Sequence, residues 1–290
     1  MYLDTMYPVV KFVGKKIMKW NLDYSPMEDF NFDLCWTVNA VKPQVLVKMQ
    51  PHQKINHFPG MSVLSRKNNL GKNLMKMRKV EPEEFKFFPM TFMIPGDYNE
   101  LKQYNANRKP GKAQTFIVKP EASCQGRGIY LTRNISHIKP TDKCVVQRYM
   151  SKPFLLDELK FDLRIYVLIT GIDPLRLYVY EEGLVRLATE PYVVPRNDNL
   201  EDVCMHLTNY AINKDNPNFI FNESETEMNK GHKRNLTYLY DLLAEKGYDV
   251  PLLKERINDM FIKAFISGHP VLSSTYRSCQ QNNFSNDMCF

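Results

Sequence analysis

The sequence predicts an α+β fold with two sheets, on three observations. Strand-like runs crowd the middle of the chain, between residues 115 and 188. Helical periodicity is strongest on either side of them, near residues 70–77 and 236–264. The composition, 43% hydrophobic and 24% charged over 290 residues, is that of a globular chain able to bury one large or two modest domains.

The elements follow in order. Residues 20–36 mix aromatics with acids, and Pro26 and Pro43 break the run, which reads as the start of a small α/β unit. Asn56-His57-Phe58-Pro59-Gly60-Met61 reads as a turn. Leu70, Leu74 and Met77 then share one face of a helix, with Lys72, Lys76 and Lys79 on another. Residues 81–115 carry Pro82, Pro89, Pro95 and the polar Asn105-Ala106-Asn107-Arg108-Lys109-Pro110-Gly111 stretch, a loop separating domains or hairpins. Strands are expected at 115–120, 128–132, 143–150, 160–170 and 175–180. Glu181-Glu182-Gly183 reads as a tight turn into a hairpin partner at 184–188. Helical spacing returns at 236–243 and in Leu253, Ile257, Phe261 and Ala264, with Gly268 as the expected cap.

Charge and cysteine usage narrow the class. Residues 1–120 hold nineteen Lys and Arg against ten Asp and Glu, whereas the remainder holds twenty against twenty-two. Between residues 34 and 80 there are nine basic residues and no acidic one. Such a block suits an acidic partner: nucleic acid, anionic membrane or an acidic protein tail. A solvated helix face is the plainer reading of its lysine stripe. The longest apolar run, 163–172, is short and contains Arg164, so no bilayer span is expected. Residues 1–20 lack a small-residue cleavage site, so no secretory signal is expected. The six cysteines are scattered and fit free thiols in a reducing compartment. The six histidines form no metal-spaced pair, and zinc hydrolysis has little support.

Candidate chemistry gathers between residues 119 and 164. On a strand through residues 160–169, Phe161, Leu163, Ile165, Val167 and Ile169 share one face, and Lys160, Asp162 and Arg164 the other. The polar row faces either a cleft or plain solvent. Lys119 ends another strand, where an ammonium can neutralise phosphate oxygens as a point charge. Between them, Ser123-Cys124-Gln125-Gly126-Arg127-Gly128 offers a turn whose backbone N–H groups can approach a phosphate, although most such turns are ordinary connections. Gln147-Arg148-Tyr149-Met150 closes a strand as a hinge whose backbone suits an adenine edge, with Val146 and Met150 on its faces; a plain linker is the alternative. Together these parts suggest an ATP site. Neither a Gly-x-x-x-x-Gly-Lys-Ser/Thr loop nor a kinase His-Arg-Asp or Asp-Phe-Gly is present.

In order along the chain, several motifs resemble the tubulin tyrosine ligase-like family of ATP-grasp amino-acid ligases, and most closely its polyglutamylase branch. They are Gln53-Lys54-Ile55-Asn56-His57-Phe58-Pro59-Gly60-Met61, Lys119-Pro120 with Gln125-Gly126-Arg127-Gly128-Ile129-Tyr130, and Ser151-Lys152-Pro153-Phe154. Lys160-Phe161-Asp162-Leu163-Arg164-Ile165-Tyr166-Val167-Leu168, Asp173-Pro174-Leu175-Arg176 and Met205-His206-Leu207-Thr208-Asn209-Tyr210-Ala211-Ile212-Asn213-Lys214 complete the set.

The resemblance implies an ATP-grasp-like fold, with two sheets sandwiching ATP behind a small N-terminal domain. The expected divisions are a basic α/β domain at 1–80, a central ATP-grasp domain at 81–146 and a C-terminal one at 147–290. By the same resemblance, Lys119 and Lys160 hold phosphates, Gln125 and Gly126 form the phosphate loop, and Gln147, Arg148, Tyr149 and Met150 bind adenine. Asp162 meets the nucleotide's sugar side, and Thr208 and Asn209 lie near the phosphates. Arg186, Tyr210 and Lys233 recognise incoming glutamate, and Arg164 supports the acceptor or the reacting phosphate. A planar guanidinium suits a carboxylate because it binds both oxygens.

The implied activity is ATP-dependent ligation of free L-glutamate onto glutamate side chains of tubulin tails through an acyl phosphate. Magnesium ligands, an Asp and a Glu-x-Asn on successive strands, are expected beyond residue 290, which makes the chain an incomplete member. A form that binds ATP or tubulin tails without ligating is the alternative, and an unrelated small-molecule ATP-grasp ligase a third. The basic block would draw acidic tubulin tails on microtubules. Neither nucleic acid nor membrane is expected as a partner. A cytoplasmic, cytoskeletal monomer is expected, with cilium or basal body as a further location.

Overall fold

The computed structural model describes residues 1–24, 31–107, 114–121, 125–222, 229–280 and 286–290. Pro26, Ser123, Cys124 and the Arg108-Lys109-Pro110-Gly111 end of the polar stretch lie outside the described residues. The α+β expectation holds, with three sheets rather than two, because the strands before residue 56 form a small parallel sheet of their own; the described chain divides into two compact units.

The first unit comprises Met1–Ser65, Val167–Val179 and Gly268–Phe290. It opens with β1 (Tyr2–Asp4) and the short α1 (Pro8–Phe12), where Pro8 supplies a preset first helical residue. β2 (Leu34–Thr37), α2 (Pro43–Lys48), β3 (Lys54–Ile55) and α3 (Ser62–Ser65) follow. The strands form a parallel sheet in the order β1-β2-β3, buried at Leu3, Cys35 and Ile55. The expected turn before α3 is present, and Gly60 takes a left-handed φ of 77° there.

The second unit comprises Arg66–Tyr166 and Tyr180–Ser267. It begins with α4 (Lys67–Val80), which buries Leu74 and exposes Lys72, Lys76 and Lys79 as the spacing predicts. The expected loop at 81–115 is instead structured, with β4 (Thr91–Ile94) and α5 (Tyr98–Ala106). Proline marked the breaks and hid the elements between them: Phe92, Ile94 and Leu101 all enter the core. Asp97 closes the join by accepting the Met93 N–H at 2.8 Å.

β5 (Phe116–Pro120), β6 (Tyr130–Thr132) and β7 (Cys144–Arg148) complete an antiparallel sheet in the order β4-β7-β5-β6. After β8 (Leu155–Leu156), β9 (Leu159–Ile172) and β10 (Leu175–Leu187) form one long hairpin. The short α6 (Val203–His206) and α7 (Tyr210–Asn213) precede β11 (Lys233–Asn235), and the third sheet runs β11-β10-β9-β8. On β9, Phe161, Leu163 and Ile165 pack towards the cluster of Leu156, Val185, Leu187 and the helix α8 (Leu236–Glu245). That leaves Lys160, Asp162 and Arg164 on the other face, as alternation requires.

Two glycine assignments are corrected. No turn interrupts β10 at Glu181-Glu182-Gly183, and Gly183 sits within the strand. A Cβ there would come within 2.5 Å of the Arg164 carbonyl oxygen, so glycine serves a close backbone approach. Glu182 accepts N–H bonds from Leu236 at 2.8 Å and Thr237 at 3.2 Å, tying the strand to the start of α8. Nor does Gly268 cap a helix, because α9 (Val250–Ser278) runs through both Gly268 and Pro270. A Cβ at Gly268 would meet Leu64 Cδ2 at 2.6 Å, which again marks close packing. Among the described residues no helix is long and apolar enough to cross a membrane.

Candidate nucleotide and amino-acid site

The site residues sit on the second unit. Lys119, near the end of β5, is half-buried and donates to Gln147 Oε1 at 2.8 Å. Gln147 in turn donates to Thr91 Oγ1 at 2.9 Å, so a fixed amide orients the lysine. Burial, and then the charge of Lys67, hold the Lys119 ammonium below its ordinary range. Lys160, at the start of β9, is also half-buried. It donates to Tyr149 Oη at 2.9 Å and to the His206 carbonyl at 2.8 Å, and lies over the Tyr149 ring at 4.4 Å. Burial pulls its ammonium down to about 8; Asp162 opposes this, and the charge of Lys119 adds to it. Neither lysine forms an ion pair among the described residues. Two lysines in electrostatic reach of each other, with neutral hydrogen-bond partners only, are able to neutralise an anion.

The Gly-rich turn takes the geometry its sequence permits. Gln125, Gly126 and Gly128 have φ of 59°, 87° and 67°. A Cβ on Gly126 would lie 2.5 Å from Ile212 Cδ1 and 3.1 Å from Asn209 Cγ, so the turn is brought against Asn209. Thr208, the residue before Asn209, is buried, while Gln125 is exposed.

The proposed amino-acid side is equally defined. Arg186 donates from Nε to Asp162 Oδ1 at 2.8 Å and from Nη2 to Oδ2 at 2.5 Å, a two-pronged pair. Lys233 is the direct cross-strand neighbour of Arg186, and its ammonium sits 3.4 Å above the Tyr210 ring. Burial holds Lys233 below its ordinary range. Alternation on β9 and pairing of β10 with β11 therefore gather Asp162, Arg186, Lys233 and Tyr210, although they span 71 positions of sequence.

The other expected contributors differ in exposure. Val146 is fully buried in the core with Phe92, Ile94 and Phe116, so it does not offer a face to a ligand; three hydrophobic neighbours claimed it first. Arg148 and Met150 are exposed, as is Arg164, which lies over the Tyr166 ring at 5.6 Å. His206 and Thr91 join the lysine networks, which the sequence did not single out. The only signal was a histidine set among apolar residues in the Met205–Leu207 run. In the basic block, Lys54 pairs with Asp287 at 2.9 Å, and Lys67 donates to the Pro120 carbonyl at 2.8 Å. Among the described residues no three His, Cys, Asp or Glu side chains gather to hold a metal ion.

Residues 45–289 match the family model described as the tubulin-tyrosine ligase family. The chain is 58% identical over 288 residues to a probable beta-tubulin polyglutamylase of Tetrahymena thermophila, covering 99% of this chain and 24% of that protein. It is 44% identical over 263 residues to the tubulin polyglutamylase TTLL6 of Homo sapiens, covering 91% of this chain and 29% of that one. With the tubulin polyglutamylase TTLL7 of Xenopus tropicalis the identity is 39% over 291 residues, covering 99% and 31%. The chain thus spans about a quarter to a third of the length of these curated relatives. With its motifs in order and its lysine and arginine network in place, this chain belongs to the tubulin-tyrosine ligase family.

Proposed function

We propose that the chain carries the nucleotide and amino-acid side of an ATP-dependent tubulin polyglutamylase. The observation that carries this reading is the pair of half-buried lysines with only neutral partners, standing beside a second cationic group of Arg186 and Lys233. Two anions are thereby provided for: a polyphosphate at Lys119 and Lys160, and an amino-acid carboxylate at Arg186 and Lys233. The sheets β4-β7-β5-β6 and β11-β10-β9-β8 would be the two layers of an ATP-grasp fold around the nucleotide, and the division into 1–80, 81–146 and 147–290 belongs to the same reading. ATP, free L-glutamate and the acidic tails of tubulin are the substrates proposed, and the place of action is the microtubule in the cytoplasm or cilium.

A carboxylate is a poor acyl donor, so the acceptor's side-chain oxygen would attack the terminal phosphorus of ATP and release ADP. The amine of free glutamate would then attack the acyl carbon, losing a proton as phosphate leaves and the isopeptide bond forms. Lys119 and Lys160 oppose the charge on the phosphoryl oxygens during the first step. Arg186 must exchange Asp162 for the carboxylate of the incoming amino acid, or hold both through its five donors. The magnesium that the family reading calls for finds no ligand set among the described residues.

The test is transfer of labelled glutamate to tubulin by the chain within a full-length version that brings the magnesium ligands this reading requires. ATP-dependent labelling, lost in Lys160→Ala and in Arg186→Ala, is expected. Labelling that persists without ATP, or in Lys160→Ala, would remove the basis of this reading.

A further inference from the structure

His206 is fully buried, and neither substrate is assigned to it. Its Nε2 lies 2.9 Å from the Asn199 carbonyl oxygen, which can only accept. The Nε2 nitrogen therefore carries the proton. Burial, the largest influence, lowers the tendency of the ring to take a second proton; the Asn199 bond opposes this, and the Lys160 charge adds to it. In this neutral tautomer Nδ1 presents a lone pair, 3.2 Å from Tyr149 Oη. A phenol has one proton. Given to Nδ1, that proton leaves the oxygen lone pairs of Tyr149 turned to Lys160 Nζ at 2.9 Å. The His206 carbonyl takes a second ammonium N–H at 2.8 Å. Of three ammonium N–H groups, one is then left for an anionic ligand.

We propose that His206 is the positioning residue of the phosphate-side lysine. As the neutral Nε2–H tautomer it orients Tyr149, and through Tyr149 it fixes the Lys160 ammonium with a single N–H aimed for phosphate. This rests on the nucleotide reading of Lys160. Protonation of His206 would remove the acceptor for the Tyr149 hydroxyl and add a cation beside Lys160. The groups facing the ring are Lys160 from β9, Tyr149 after β7, Tyr192 at 5.8 Å between ring centres, and Asp202 at the start of α6. The rival acceptors for the Tyr149 proton are Tyr192, whose own hydroxyl is donated to the Ser151 carbonyl at 2.9 Å, and the His206 carbonyl, which at 3.4 Å is farther than Nδ1 and already takes the Lys160 N–H.

The experiment is binding of a fluorescent ATP analogue between pH 5.5 and 7.5, with thermal melting as the control for folding. His206→Gln keeps a donor for the Asn199 carbonyl and loses the Nδ1 lone pair. It is expected to weaken binding about three- to tenfold, the loss expected of one neutral hydrogen bond. Tyr149→Phe should do the same, and Tyr192→Phe should leave binding unchanged. The acid-side loss of affinity should be smaller in His206→Gln than in the wild type, since phosphate titration is common to both.

Nitrogen NMR of the labelled wild-type protein should show Nε2 protonated and Nδ1 bare, with the Nδ1 signal moved by Tyr149→Phe. If Lys160→Ala abolishes binding while His206→Gln and Tyr149→Phe bind as the wild type, the positioning role is wrong and the nucleotide site stands. If Lys160→Ala itself binds normally, the nucleotide reading fails instead. An Nδ1-protonated ring overturns the proposal even where His206→Gln does not fold.

Discussion

Raising the pH should weaken nucleotide binding chiefly through Lys160, with Lys119, also held below its ordinary range, acting in the same direction. Its ammonium titrates at about 8 in the free protein against an ordinary 10.5. A bound phosphate sets an opposite charge beside the buried ammonium and offsets that depression, which returns the group to about its ordinary value. Above pH 8 the complex therefore holds a proton that the free protein has lost, so affinity falls as pH rises. Between pH 7 and pH 9.5 these two values give a loss of about 30-fold, or ~2 kcal/mol. Phosphate ionisation, near pH 6, is complete over this range and adds nothing.

The same depression has an opposite sign for stability. Without ligand, the burial penalty is present below pH 8 and is relieved as pH climbs towards 10.5, because the unfolded chain then binds more protons than the folded one. The assay is titration of an ATP analogue at fixed ionic strength in wild type, Lys160→Arg and Lys119→Arg. A guanidinium stays charged, so Lys160→Arg should bind with a much shallower profile, the remainder coming from Lys119. Affinity that is level to pH 9.5 in the wild type would refute the reasoning. So would a decline that survives in Lys160→Arg and disappears in Lys119→Arg.

Gly183→Ala should destabilise the protein by about 1–3 kcal/mol, because the new methyl must displace the Arg164 carbonyl 2.5 Å away; a wild-type urea midpoint would show that β10 has room. Burial pushes the Glu182 carboxyl up, but its bonds from Thr237, Gly183 and Leu236 outweigh that and hold it below its ordinary 4.5. Its contribution is thus present above pH 4.5 and lost as pH falls through the lowered value, and Glu182→Gln should lose about 1 kcal/mol at pH 7 and flatten stability between pH 3 and 5 in urea melts. Reversing Lys72, Lys76 and Lys79 to Glu together should weaken binding of a glutamate-rich peptide more than tenfold at low salt and change little at 1 M salt; equal binding at low salt would remove α4 from the acidic-partner surface. Asp162→Asn should lower stability by less than ~1 kcal/mol, since the pair with Arg186 is half-exposed; a larger loss by thermal melting would mean the pair organises more than its two strands.

Glycine shows where sequence reading reached its limit. Gly60 and Gly126 occupy turns with positive φ, as their neighbours suggested. Gly183 and Gly268 carry the same letter yet lie inside regular elements, where the missing Cβ admits a carbonyl or a leucine from elsewhere in the fold. Nothing local distinguishes the two uses. The loop read across residues 81–115 failed for a related reason: prolines announce breaks, and burial of Phe92, Ile94 and Leu101 decides what lies between them.

Alternation in a strand is a local consequence of backbone geometry, so the sequence by itself determined that Lys160, Asp162 and Arg164 share a face opposite Phe161 and Leu163. The order of its motifs likewise determined the family. The partners of those side chains were decided only by tertiary structure. Lys160 meets Tyr149 and His206, 11 and 46 residues away, Asp162 meets Arg186 24 residues away, and Lys119 meets Gln147 28 residues away. Hydrogen bonds and ion pairs act over a few ångströms of space, and only sheet pairing and packing set which distant residues fall within that reach.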